Sequence, residues 1–331
     1  MSAQAKIHAE TIAEFIMNNC NCGQSRMYAE HDMLMKTEKH VTLYNQFPTK
    51  NRIWSSVCFD ENAVELKTNN KKEEKLDHDN TYINANILES PLGNFVLAQA
   101  PMANTLVEWY RMIWQLKISI IVCLLDPMQL PTSERYFQLK EGSHLKIKNR
   151  FYIRTISVRE DDGLLVNYQL RITNKLSTDK SRTVYVIVRP TKPDCPIEPR
   201  KQLNLVAEVW ATETASLSME EDRDTSPILV HGFAGIGRTA AFVATTMLCK
   251  SLQLHGVMSP VEVWTRLNDV RHNSARERIH FISSIECALL FAYDIGLLTP
   301  NIKQLNEVNK IIQSAYEECG RSHLMSNGLK E

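Results

Sequence analysis

Apolar positions along this chain switch between a helical period near 3.6 and a strand period of two, and the switches outline its elements. Ile7, Ile12, Phe15 and Ile16 fall on one face of a helix over residues 5–20, and residues 26–36 predict a second. Residues 69–75 form a mixed charge run, Asn-Asn-Lys-Lys-Glu-Glu-Lys, and read as a solvated loop. The run from Ile118 to Leu125 is apolar apart from Ser119 and reads as a buried strand. Residues 151–158, 164–173 and 182–189 alternate and are rich in β-branched types, which predicts three consecutive strands. Asp161-Asp162-Gly163 turns the chain between the first two. Residues 212–226 are polar and acidic, with Glu220-Glu221-Asp222, and predict a surface loop. Ile228, Leu229 and Val230 make a strand that enters a glycine-rich turn, and a helix opens at Arg238. Residues 261–271, 282–295 and 302–316 have helical spacing, and residues 320–331 read as a loose tail. The predicted class is α/β, a twisted mixed β-sheet flanked by helices.

Composition narrows the function classes. Lys and Arg together number 38, as do Asp and Glu, so the formal net charge is zero over 331 residues. That balance argues against general binding to nucleic acid or to an anionic membrane. The eight cysteines are scattered, several within apolar runs, and read as reduced core thiols. Cys20-Asn-Cys22 lacks zinc spacing and has no second pair nearby, so no metal and no cofactor are expected. The start of the chain has no apolar signal region, and its longest apolar run is far too short to span a bilayer. The expected setting is cytoplasmic, with any membrane association through partners.

The turn after Val230 carries the candidate chemistry. In His231-Gly232-Phe233-Ala234-Gly235-Ile236-Gly237-Arg238-Thr239, Gly235 and Gly237 are suited to the positive φ of a tight curve. Backbone N–H groups from Phe233 to Thr239 would converge on an anion, aided by the positive end of the helix that follows. Arg238 adds a planar fork for two phosphate oxygens. Two bland readings stand beside this one: such turns also serve packing, and Arg238 has Glu277 and Asp269 as alternative internal partners.

In order along the chain, several blocks accompany the turn. They are Asn51-Arg52, Tyr82-Ile83-Asn84-Ala85-Asn86, Gln99-Ala100-Pro101, Trp109-Tyr110-Arg111-Met112-Ile113-Trp114 and Lys192-Pro193-Asp194. Together they resemble the protein tyrosine phosphatase domain over roughly residues 45–295. The resemblance implies one domain over residues 45–296, with 1–44 a helical extension packed on it and 297–331 a C-terminal helix and loose tail. It also makes the departures meaningful. The family's nucleophilic cysteine is replaced by Gly232, the aromatic wall for the phosphotyrosine ring by Ile53, an acid that holds substrate backbone by Ser55, and the tryptophan of the mobile loop by Lys192. The general acid persists as Asp194, for which a plain turn role is the alternative, and His231 is expected to hydrogen-bond to the loop backbone. The water-positioning glutamines are missing from His280-Phe281-Ile282-Ser283-Ser284.

Loss of a nucleophile that acts with its partners as a unit costs about 10⁶ in turnover. The expectation is therefore a protein that is not an enzyme and that regulates or scaffolds signalling by binding. It would capture a tyrosine-phosphorylated partner through Gly232–Arg238 or act through another surface, with residual hydrolysis by Asp194 and Arg238 as the enzymatic alternative.

Overall fold

The strand that feeds the turn lies inside a nine-stranded sheet, in a computed structural model that describes residues 9–20, 25–34, 39–54, 56–68, 70–77, 80–161, 164–178, 181–192, 195–217, 226–298 and 303–328. In chain order the elements are β1 (Glu10–Thr11), α1 (Ile12–Cys20), α2 (Ser25–Met33), α3 (Thr42–Gln46), β2 (Ala63–Glu65), α4 (Lys71–Asp77), β3 (Tyr82–Leu88), β4 (Phe95–Gln99), α5 (Leu106–Gln115) and β5 (Ile120–Cys123). There follow β6 (His144–Ile147), β7 (Phe151–Asp161), β8 (Leu165–Asn174), β9 (Arg182–Val188), α6 (Pro199–Leu217), β10 (Ile228–Gly232), α7 (Gly237–His255), β11 (Val257–Met258), α8 (Pro260–Val270), α9 (Arg278–Asp294) and α10 (Lys303–Gly328).

The sheet order is β2-β3-β4-β10-β5-β9-β8-β7-β6. Strand β10 runs parallel to both β4 and β5, β5 runs parallel to β9, and the outer pairs are antiparallel. This is the mixed sheet predicted from the sequence. Ile228 and Val230 of β10 enter the core shared with α7, α8 and α9, while Leu229 enters the opposite core with Trp109 and Tyr110 of α5. A strand covered on both faces reads as a continuous apolar run, and the turn after it emerges at the carboxyl edge of the parallel strands.

Three local expectations are corrected. Residues 71–77 are a helix rather than a solvated loop, and two of its acids are buried. Glu73 pairs with Arg150 at 2.9 Å, and Asp77 pairs with Arg150 and, at 3.5 Å, with Arg111. Lys71, Lys72, Glu74 and Lys75 are exposed, while Glu73 and Asp77 turn inward to an ion network whose basic partners lie elsewhere in the chain. Residues 212–217 belong to α6, whose Thr212, Thr214 and Ser216 hydroxyls donate to carbonyls four residues back, so polar composition here marks helix rather than loop. The tail expected from residue 320 continues α10 to Gly328. The predicted turn at Asp162-Gly163 and the acidic triplet at 220–222 lie outside the described residues.

Candidate functional site

The turn is shaped through its carbonyls. Phe233 O accepts from Ala100 N at 3.1 Å, Ala234 O from Ser56 Oγ at 2.7 Å and Arg271 Nη2 at 3.2 Å, and Gly235 O from Arg271 Nε at 3.1 Å. These bonds occupy the carbonyls of the turn, which leads directly into the first turn of α7, where a helix leaves its own amides unpaired. Gly235 takes φ +68°, as expected from sequence. Gly237 does not need a positive φ: it is small because the His280 ring presses on it, and a Cβ there would lie 2.6 Å from His280 Cδ2. Helix α7 begins at Gly237, one residue before the predicted start.

A cavity of about 200 Å³ opens over this turn, lined by Gly232, Phe233, Ala234, Gly235, Ile236, Gly237, Arg238 and Thr239, with Ile53, Asn273, Arg276, Glu277 and His280 completing its walls. The structure thus gathers Ile53 and the whole predicted loop into one concavity. The loop that carries Ile53 is anchored by the Asn51-Arg52, Tyr82–Asn86 and Gln99 blocks read from sequence. Asn51 Oδ1 accepts from Tyr82 OH (2.7 Å) and Asn84 Nδ2 (2.9 Å), and the Gln99 side chain bonds both Arg52 N and Lys50 O.

Individual side chains refine the picture. Arg238 Nη1 donates to Thr191 O at 3.0 Å and also to Thr191 Oγ1, which ties the loop arginine to the segment just before Lys192. Lys192 is exposed, and Asp194 and Ser55, singled out from the sequence, lie outside the described residues. Phe233 is 43% exposed, with the Arg52 guanidinium 4.6 Å from its ring centre, and Arg52 is itself held by Glu134 at 2.7 Å. His231 is fully buried, with its Nε2 2.8 Å from Tyr136 OH, a partner the sequence did not reveal. Burial pushes its pKa down to about 3, so it is neutral. Sequence reasoning missed Arg271 and Ser56, and read His280 only as part of the block that lacks the glutamines. No local pattern marks them, because each acts across the fold.

Residues 47–290 match the protein-tyrosine phosphatase family. This chain belongs to that family. It is similar to mouse tyrosine-protein phosphatase non-receptor type 7, 33% identical over 184 residues, 54% of this chain and 47% of that protein. Human receptor-type tyrosine-protein phosphatase R is 30% identical over 223 residues, 62% of this chain and 31% of that protein. Tyrosine phosphatase H3 of Microplitis demolitor bracovirus is 25% identical over 242 residues, 68% of this chain and 75% of that protein. The chain spans about half the length of the non-receptor type 7 relatives.

Membership overturns the expectation that the chain is not an enzyme. The family relatives it matches are named as tyrosine phosphatases, and nothing in the structure demonstrates inactivity. Among the described residues the cavity walls contain no cysteine, but Cys58 lies two residues beyond the Ser56 that holds Ala234. Cys58 is buried, with Sγ 3.6 Å from Ala85 O, and desolvation pushes its thiol pKa up. Among the described residues no helix is long and apolar enough to cross a membrane.

Proposed function

We propose that this tyrosine-phosphatase-family domain regulates signalling by capturing a tyrosine-phosphorylated protein, with the phosphate seated in the Gly232–Thr239 loop. The observation that carries the reading is the disposition of that loop: its carbonyls are bonded away, the N-terminus of α7 faces the cavity, and Arg238 stands beside it. Phe233, Ala234, Gly235, Ile236 and Gly237 supply backbone, Arg238 the fork and Thr239 a hydroxyl. Thr239 Oγ1 is buried without a hydrogen-bond partner. Ile53 offers the aromatic ring an apolar wall without stacking, which forgoes about 0.5–1.5 kcal/mol relative to an aromatic one. Holding a phosphotyrosine side chain shields it from other readers, and that competition is the regulatory act.

Calorimetric titration of wild type and Arg238→Met with a phosphotyrosine peptide pool, beside the unphosphorylated peptides, tests this. Binding that requires both phosphate and Arg238 supports the reading, whereas unchanged capture by a folded Arg238→Met protein places partner recognition on another surface. Phosphate release from the same samples measures turnover alongside capture.

A further inference from the structure

His280 reaches the phosphate loop from a different helix. It is the third residue of α9, is 2% exposed, and stands against the first residue of α7, so that a Cβ on Gly237 would lie 2.8 Å from its Nε2. The imidazole therefore sits at the helix N-terminus, where unpaired amides and Arg238 already favour an anion. Its Nδ1 has no hydrogen-bond partner, and neither has Thr239 Oγ1 on the same cavity. A buried polar atom without a partner is costly unless a ligand or solvent supplies one.

We infer that His280 belongs to the anion site and takes up a proton when the site fills, so that ligand and proton bind together. This rests on the phosphotyrosine reading above. In the empty site the ring is neutral, because burial and the neighbouring Arg238 push its pKa down to about 4. The other charged groups on this cavity are Arg276 and Glu277, beside the start of α9, and Arg238 on α7; the facing Ile53 is apolar. Burial and Arg238 oppose a charged ring, and an arriving anion reverses that balance. A group whose pKa rises on binding tightens the complex as pH falls. A rise of two units, ordinary for an opposite charge within 4–6 Å, makes binding about fourfold tighter at pH 5.5 than at pH 7.5.

A sulfotyrosine peptide is the probe, because its sulfate ester keeps one charge throughout this range. Titration of wild type, His280→Gln and Arg238→Met at pH 7.5, 6.5 and 5.5 should show the fourfold gain in wild type and a flat profile in His280→Gln. Wild-type heats in two buffers of different ionisation enthalpy should also reveal uptake of about half a proton at pH 6, a readout that needs no variant to fold. Binding that requires Arg238 yet takes up no proton, or an unchanged pH profile in folded His280→Gln, would overturn the role of His280 alone. Failure of wild type to bind either sulfotyrosine or phosphotyrosine peptides would overturn the phosphotyrosine reading and this inference together.

Discussion

One methyl group placed at each of three loop glycines separates what the backbone demands from what it merely tolerates. Gly235 sits at φ +68°, and a Cβ there would overlap the Ala98 carbonyl and lie 2.7 Å from Gln99 N. Both belong to β4, which is laddered to β3 and β10 and has no freedom to retreat. The left-handed conformation costs alanine about 1–2 kcal/mol and the overpacking about 1–3 kcal/mol, so Gly235→Ala should destabilise by about 2–5 kcal/mol. At Gly237 the obstacle is the His280 ring, a side chain that is able to tilt. Its overpacking cost, set against about 0.5–1 kcal/mol gained by replacing a helical glycine, gives an intermediate loss. Gly232 differs from both: its φ is not left-handed and a Cβ would meet only Thr239 Oγ1 at 3.4 Å. Gly232→Ala should be neutral, or stabilising by about 0.4–1 kcal/mol through the unfolded chain. Urea unfolding reads the series as midpoint shifts at constant m. A Gly232→Ala protein that loses as much stability as Gly235→Ala would refute the reasoning, because it would mean that glycine at 232 is a backbone requirement.

Three further outcomes follow from the same structure. Because Gly232 has room for a side chain at the mouth of the amide cup, a thiol introduced by Gly232→Cys should titrate below the free cysteine value of about 8.5, seen as the pH midpoint of iodoacetamide alkylation; a midpoint at or above that value counts against an inward-facing cup. His231 and His280 are buried neutral, with pKa values pushed down to about 3 and about 4 from an ordinary 6.5. The unfolded chain therefore binds protons first, and stability should fall as pH drops below 6.5 at up to about 1.4 kcal/mol per unit for each histidine; urea midpoints at pH 7.5, 6 and 5 check this, and a flat profile contradicts it. Arg150→Met removes the guanidinium that Glu73 and Asp77 share, leaving Asp77 its 3.5 Å contact with Arg111, and should cost up to about 3–5 kcal/mol, with much of the loss recovered when both acids are also neutralised to Gln and Asn.

Periodicity was enough for β5, β7, β8, β9 and β10 and for most helices, because a sheet covered on both faces writes long apolar runs and α-helices write a 3.6 repeat; it marked neither β3, β4 and β6 nor the helix α6. It failed where polar residues are buried in pairs. Residues 71–77 read as solvated because five of seven are mixed Lys and Glu, and most are exposed, yet Arg150 and Arg111, which neutralise the buried Glu73 and Asp77, lie far along the chain. The same limit applied at the site. The loop from Gly232 to Thr239 is one contiguous segment and could be read as an anion cup from its glycines and Arg238. The side chains that shape it are not contiguous with it: Arg271 reaches Asn86 across 185 positions, and Ser56 reaches Ala234 across 178.

Those long connections explain how the cup keeps its form with nothing but hydrogen at residue 232. The curvature of the loop is set by Arg271 and Ser56 on its outer carbonyls, by the backbone of β4 against Gly235, and by His280 against Gly237. None of these restraints passes through residue 232, whose side-chain position faces open cavity bounded by Thr239. The chain therefore separates the geometry proposed to bind an anion from whatever group occupies residue 232, and a substitution there should alter the chemistry of the loop without deforming it. Arg238 is the exception on the binding side: its bond to Thr191 couples the cup to the segment leading into Lys192, so filling the cup with an anion must compete with that contact or share the guanidinium with it. Thr191→Val, which removes the hydroxyl acceptor while leaving the carbonyl, should free part of the guanidinium and tighten phosphotyrosine binding; weaker binding in a folded variant would show instead that Thr191 holds Arg238 in its binding pose.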